Sequence, residues 1–170
     1  KKSKMTLVLE KDPILKKNCE DFDFSLDDAE ALAKQLSTDM VNHEGIGLAA
    51  PQIGLLKRVF VIGDKSGILP CFNPEIVSYS EDEDWLTEGC LSYPGLFIKI
   101  KRSISIDVRF QDMSSAWREM SMEGIVARCY QHELDHLNGV TFHLKAGQLA
   151  LQMAKKRRKK ILKRNEQQKN

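Results

Sequence analysis

The chain has 170 residues, 42% of them hydrophobic and 29% charged, enough for one compact domain with a real core and too few for two. No apolar run is long enough to cross a membrane, and the opening KKSKMTLVLEKDP lacks the apolar stretch of a secretory leader. The four cysteines (Cys19, Cys71, Cys90 and Cys129) form no C-x-x-C pair, which argues against a disulfide-built secreted scaffold and for reduced thiols in a cytoplasm or an organellar stroma or matrix.

Ser25-Leu26-Asp27-Asp28 has the make-up of a helix N-cap followed by acidic residues in the first turn. Ala29, Leu32, Ala33, Leu36 and Met40 recur behind it at helical spacing, and Gly45 is a natural stop. The pattern predicts a first helix over about 26–43. Short β-type runs follow at Val59–Ile62 and from Cys71 to Val77. From Ile98 to Phe110, Ile98, Ile100, Ile104, Ile106, Val108 and Phe110 share one parity, as in a half-buried strand or a pair of strands. Arg102 falls on that parity too. Either its guanidinium enters the core and needs a carboxylate partner, or the strand breaks nearby and turns it to solvent.

A hairpin around Gln111–Ala116 and a strand from Trp117 to Met122 come next. A second helix is predicted over about 123–137, stopped by Asn138-Gly139. Ile125, Cys129, His132 and His136 lie on one of its faces. The last element is a basic helix from about residue 146 onward, with Leu149, Leu151, Met153, Ile161 and Leu162 as its apolar members. The net charge of +2 conceals an asymmetry. Residues 155–170 hold nine Lys or Arg against one Glu, leaving 17 basic and 23 acidic residues in the rest of the chain. A basic tail on an acidic body suggests an anionic partner, such as nucleic acid or a lipid surface.

The segment QHELDHLNG at 131–139 carries the clearest chemistry. On a helix, His132 and His136 stand one turn apart on one face and can grip a single metal ion, with Glu133 beside them as a base rather than a ligand. A divalent ion held there would make a water acidic enough for Glu133 to take its proton. Two protein ligands alone make a poor centre, because a catalytic site of the zinc type takes three and leaves one position open. The metalloprotease pattern H-E-x-x-H-x-x-G-x-x-H would supply the third. Gly139 fits it, but residue 142 is Phe142, and His143 falls one place late.

Residues 45–52, GIGLAAPQ, set Gly45 and Gly47 around Ile46, where bare backbone could approach an extended ligand. Gln52 is either a solvated amide or a hydrogen-bond donor to a reacting carbonyl. Residues 88–92, EGCLS, put Cys90 behind Gly89, as a small buried hydrophobe or as a thiol that binds metal or reacts.

GIGLAAPQ, EGCLS and QHELDH, in that order, resemble the three signature motifs of the peptide deformylases, and the resemblance runs from residue 5 to residue 147. It implies an α+β fold, with small antiparallel sheets packed around a central helix carrying HExxH. Residues 1–147 would form the catalytic domain and 148–170 a basic helical extension. The implied activity is hydrolysis of the N-formyl group from formyl-methionine at the start of nascent peptides, releasing formate. By the same resemblance Cys90 is the third metal ligand beside His132 and His136, Glu133 is the acid–base residue, and the Leu91 backbone N–H and the Gln52 amide hold the oxyanion.

Substrate would lie along Gly45, Ile46 and Gly47, beside Glu88 and Gly89, with the methionine side chain in a pocket walled by Ile46, Ile125 and Cys129. Arg128 stands where some relatives carry an apolar residue. Arg102 would pair with Glu88 near Asp135 and fix the Cys90 loop against the histidine helix. The implied ion is Fe2+. Ligand softness and geometry alone suit zinc equally, and Zn2+, Ni2+ or Co2+ could occupy the isolated protein. In character rather than in motif, the tail resembles an extension that docks on the ribosome, through rRNA or exit-tunnel proteins.

Three other readings of the residues remain open at this point. A zinc endopeptidase built on His132, Glu133, His136 and His143 would not need Cys90. A cysteine hydrolase with Cys90 as nucleophile would respond to alkylating agents more than to chelators. An RNA- or ribosome-binding protein with a structural metal would have no use for Glu133.

Overall fold

The computed structural model describes residues 7–64 and 66–169. A short 3-10 turn, Pro13–Lys16, precedes α1 (Ala29–Asn42) and β1 (Gly47–Ala49), and a second 3-10 turn, Ala50–Ile53, carries Gln52. The strands β2 (Val59–Asp64), β3 (Gly67–Tyr79), β4 (Glu83–Cys90), β5 (Tyr93–Ser103), β6 (Ser105–Gln111) and β7 (Trp117–Glu123) follow. The chain closes with α2 (Gly124–Leu137), a 3-10 turn at Phe142–Lys145 and α3 (Gln148–Lys169). One antiparallel sheet has the order β1-β2-β3-β6-β7, and β4–β5 form a separate antiparallel hairpin. The architecture is α+β.

Helix α1 begins three residues later than its sequence pattern predicts. Asp28 is the cap, its carboxylate accepting from the Ala31 N–H at 3.0 Å. Ser25 is spent elsewhere: its N–H and hydroxyl both donate to Asp23. A carboxylate at the cap satisfies an orphan N–H and also opposes the helix dipole. Ala33, Leu36 and Met40 then pack with Leu48, Val59 and Val61, fixing β1 and β2 under the helix.

The alternating run from 98 to 110 is divided between the two sheets. Ile104 lies at the break and is partly exposed, whereas Ile98 and Ile100 before it and Ile106, Val108 and Phe110 after it are buried. Arg102 keeps the inward parity up to the break and is buried with them. The rest of that parity feeds the core under α2. There Ala127, Tyr130, Leu134 and Leu137 join Phe60, Ile62, Val108 and Phe110, and each large apolar side chain so buried contributes about 1.5–3 kcal/mol. The Tyr130 ring meets Phe60 edge-on at 5.0 Å, and its hydroxyl donates to the Glu75 carbonyl at 3.0 Å. With that face of α2 committed to the large sheet, the histidine flank is left to face the β4–β5 hairpin.

Helix α3 uses only one of the large apolar residues its sequence offers. Leu149, Met153, Ile161 and Leu162 are exposed, and Ala154 and Leu151 pack in the cluster that holds Tyr93 and Leu96 of β5 with Leu15 and Phe142 of the neighbouring 3-10 turns. Arg158 pairs with Glu10, and Arg157 donates to the Phe97 carbonyl at 3.3 Å. No helix among the described residues is long and apolar enough to cross a membrane.

The turn after α2 depends on Gly139, which takes a φ of 72° and lies against the backbone of the first 3-10 turn. A Cβ there would come within 2.6 Å of the Lys16 carbonyl oxygen. Gly139→Ala is therefore expected to lower stability by about 1–3 kcal/mol in urea denaturation. Gly147→Ala, where nothing lies within 4 Å of the added carbon, should stay within about 0.5 kcal/mol of the parent. Equal effects at the two positions would contradict this account of the turn.

Candidate active site and metal centre

His132 and His136 project from the flank of α2 one turn apart, their ring centroids 5.1 Å from each other, and both are buried. Cys90 ends β4, where a bulge after Glu88 shifts the register and brings its thiol to 3.3 Å from His136 Nε2. Among the described residues, Cys90, His132 and His136 are the one group of three or more potential metal ligands, with ligand atoms all within 4.8 Å of one another. His143 is not part of it; its ring packs on Tyr93 at 4.9 Å. The endopeptidase ligand set is thus not assembled.

Glu88 organises the surroundings. Its Oε1 accepts from His132 Nδ1 at 2.9 Å and from Arg102 Nη2 at 3.0 Å, while Oε2 accepts from Arg102 Nε and Arg128 Nη1, each at 2.6 Å. Arg102 Nη1 reaches on to Asp135 Oδ2 at 2.9 Å, and Lys145 approaches the same oxygen at 3.5 Å. The bond at Nδ1 fixes the His132 tautomer and leaves Nε2 toward the thiol. Glu88 lines the cavity, but both its oxygens are engaged, so its part is to position other groups rather than to bind a ligand directly.

The remaining motif residues converge from two sides. Gln52 is anchored by its carbonyl oxygen on the Ala49 N–H at 3.0 Å, which turns its amide nitrogen to Ser92 Oγ at 3.1 Å and Cys90 Sγ at 3.5 Å. Ser92 has no warning in the sequence beyond its place in EGCLS. A Cβ on Gly47 would lie 2.7 Å from both Glu133 Oε2 and Cys129 Sγ, so β1 rests directly on the base. Gly45 is pressed on Leu91 and Gly89 on the Phe97 ring in the same way. The Cys129 thiol donates to the Ile46 carbonyl at 3.4 Å.

Between these two sides lies a cavity of about 130 Å3, near the roughly 150 Å3 that accommodates a benzene-sized group. Gln52, Gly89, Cys90, Leu91, Arg128, Cys129, His132 and Glu133 are among the residues that line it. Ile46 and Ile125 line it as well, while keeping much of their surface open to solvent, at 64% and 59% exposure.

The electrostatics suit a cation. Burial works to raise the Glu88 carboxyl, but the bonds from His132 and Arg102 overcome it and hold the group at about 2. Burial likewise opposes charge on His132, yet its bonds to Cys90 and Glu88 and the nearby Glu133 charge lift it to about 10. His136 goes the other way, held well below the usual range by burial and then by the charges on His132 and Arg102. Negative charge that draws a proton to His132 will draw a metal ion in its place. Two buried polar atoms of the site, His136 Nδ1 and Glu133 Oε1, have no partner among the described residues. Burial raises the Glu133 carboxyl to about 7, with His132 pulling down and Glu88 pushing up. One soft thiolate and two imidazoles fit a single divalent transition metal.

Fold and site together define an α+β protein built on an HExxH helix, whose ligand set is completed by a cysteine from the adjoining hairpin. Comparison with known proteins narrows the class. The sequence model of the polypeptide deformylase family matches residues 4–151. A peptide deformylase from Thermotoga petrophila is 40% identical over 129 residues, covering 76% of this chain and 79% of that protein. The solved structure of a peptide deformylase from Legionella pneumophila superposes with a TM-score of 0.86 at 32% identity, over 96% of this chain and 98% of that one. One from Synechococcus elongatus, in complex with actinonin, gives 0.84 at 33% identity, over 88% and 83% respectively. The chain belongs to the polypeptide deformylase family.

Neutralising the centre of the charge network should be costly. Glu88→Gln leaves Arg102 and Arg128 buried without their shared anion, and is expected to lose roughly 3–5 kcal/mol at neutral pH. The folded carboxyl titrates near 2 against an ordinary 4.5. Its contribution is therefore complete above about pH 4.5 and is lost as the pH falls through about 2. In metal-stripped protein, the stability gap between parent and Glu88→Gln should narrow across that window. A gap that stays constant would contradict the assignment.

Proposed function

We propose that the chain hydrolyses the N-formyl group of formyl-methionine at the start of newly made peptides, releasing formate and the free amine. Beyond family membership, one observation carries this reading: the Cys90 thiol, the His132 imidazole and the Glu133 carboxylate line one cavity, and the His136 imidazole stands with its ligand atom within 4.8 Å of those of Cys90 and His132. Cys90, His132 and His136 would hold one divalent cation, which supplies Lewis acidity toward water and the formyl oxygen. Ferrous iron is the ion we assign to the native protein. The same donors accept Zn2+, Ni2+ or Co2+.

The chain's own residues then have separate tasks. Glu133, with a carboxyl near 7, takes a proton from the attacking water and returns it to the nitrogen as the C–N bond breaks. Gln52, its amide fixed by Ala49, offers N–H to the developing oxyanion together with the Leu91 backbone. Removing one such donor typically costs about 2.7–4 kcal/mol of transition-state stabilisation. Among the described residues strand β1 pairs with β2 only, so its other edge is open to an extended peptide. Gly47 keeps that edge close to Glu133.

Two variants separate the tasks. Glu133→Gln should retain metal at parental stoichiometry and lose formate release by at least about a hundredfold. Cys90→Ala should lose bound metal itself. Full activity in Cys90→Ala would favour the HExxH endopeptidase or another centre. Rapid inactivation by an alkylating agent while metal stays bound would favour a cysteine nucleophile.

We assign the tail, residues 148–170, to the ribosome, in whichever compartment makes formylated chains. Lys159, Lys160, Lys163 and Arg164 are all exposed on α3, and phosphate attraction would bring them to rRNA. Leu151 and Ala154 pack on the body, so truncation would disturb more than charge. Replacing Lys159, Lys160 and Lys163 by Glu should abolish ribosome co-sedimentation at moderate salt and leave formate release from free tripeptides unchanged. Retained co-sedimentation would remove the ribosome from the account.

A further inference from the structure

The two donors assigned to the oxyanion stand on different parts of the molecule. Gln52 belongs to the 3-10 turn after β1, whereas Leu91 opens the short turn, Leu91-Ser92, that joins β4 to β5. An oxyanion site drawn from two elements works only if one is held in register with the other. The next residue of that turn supplies the link. Gln52 Nε2 donates to Ser92 Oγ at 3.1 Å, and the bond is out of solvent, Ser92 being fully buried and Gln52 1% exposed.

The Gln52 amide is thereby held at three points. The Ala49 N–H donates to Oε1 at 3.0 Å, and a backbone donor on that side fixes which end of the amide is oxygen. The nitrogen carries two N–H bonds and meets two acceptors, Ser92 Oγ at 3.1 Å and Cys90 Sγ at 3.5 Å. The two are unequal. A hydroxyl oxygen is a good acceptor, and sulfur is a weak one. The N–H on Ser92 is the fixed one, while the N–H beside the ligand group is free to leave for a stronger acceptor, and a developing oxyanion is such an acceptor. We infer that Ser92 is a positioning residue: its hydroxyl oxygen holds one Gln52 N–H in the frame of the Leu91 turn, so that the other stays beside Cys90 for the oxyanion. The inference rests on the deformylase reading of the site and gives Ser92 a task that reading leaves out.

Ser92→Ala removes the hydroxyl and little volume, and leaves the amide anchored at Ala49 with one buried N–H unpaired. Bound metal, kcat and KM for formate release from a formyl-methionine tripeptide are measured for the parent, Ser92→Ala, Gln52→Met and the double variant, with each rate expressed per bound ion. Ser92→Ala should keep metal at parental stoichiometry and KM within about twofold, and should lower kcat about tenfold, the scale of one hydrogen bond. The Gln52→Met background decides whether Ser92 acts through the amide. With the amide gone, adding Ser92→Ala should change kcat by less than about twofold. An equal fall in both backgrounds would mean that Ser92 supports the turn and not Gln52, and it overturns the inference. Loss of bound metal in Ser92→Ala, or a kcat within about twofold of the parent, overturns it as well. Each of these results leaves the deformylase reading intact, whereas absence of formate from the metal-loaded parent overturns both.

Discussion

The buried carboxylate of Glu88 is the interaction on which the site depends. A lone carboxylate in this setting would be expensive, and an ion pair alone seldom recovers the cost of removing two charges from water. Here the anion accepts four hydrogen bonds, from Arg102, Arg128 and His132. Those donors stand on β5 and α2, while Glu88 itself is on β4, so one side chain joins the hairpin to the histidine helix. Cys90 is two residues along the same strand. Its distance from His136 is thereby set by a charge network, not by the flexibility of a loop. Asp135 extends the network through Arg102, holding the turn of α2 that lies between the two histidines.

Close backbone approach is the second constraint. Glycine at 47 lets β1 lie against the base, and glycines at 45 and 89 admit Leu91 and the Phe97 ring. The large sheet thus contributes an open edge and Gln52, the hairpin contributes Cys90 and Leu91, and the helix contributes two imidazoles and Glu133. Ser92 joins the first two through the Gln52 amide. The cavity exists only where the three meet. That division also explains why the proton-holding group is raised to about 7: packing from three directions removes water from Glu133 while leaving Oε1 without a partner among the described residues.

Much of this was legible in the chain because the decisive signals are local. HELDH places two ligands and a base within five residues, and the alternation put Arg102 on the inward parity, leaving core and solvent open until the resemblance paired it with Glu88. The trio of motifs, taken as a resemblance, brought Cys90, Gln52 and Glu88 to the same site. What escaped was non-local. The bonding of Arg128 was not readable because its acceptors, Asp84, Glu88 and Ile100, lie 28 to 44 residues away. Ile46 and Ile125 line the cavity, but how much of each stays exposed depends on packing that no sequence pattern gives. The α1 start moved to Asp28 because Ser25 found a nearer partner in Asp23. In α3 four of the five large apolar residues are exposed, and Leu151 and a small residue, Ala154, make the contact with the body. The strand order, with β4–β5 set apart, has no counterpart in the periodicity.

The most direct measurement follows bound metal and formate release in the same anaerobic sample, with a formyl-methionine tripeptide, during chelation and then re-addition of ferrous iron. The account predicts that both fall together, with one ion per chain at full activity, and that both return together. Formate release that persists after the metal is gone would contradict it.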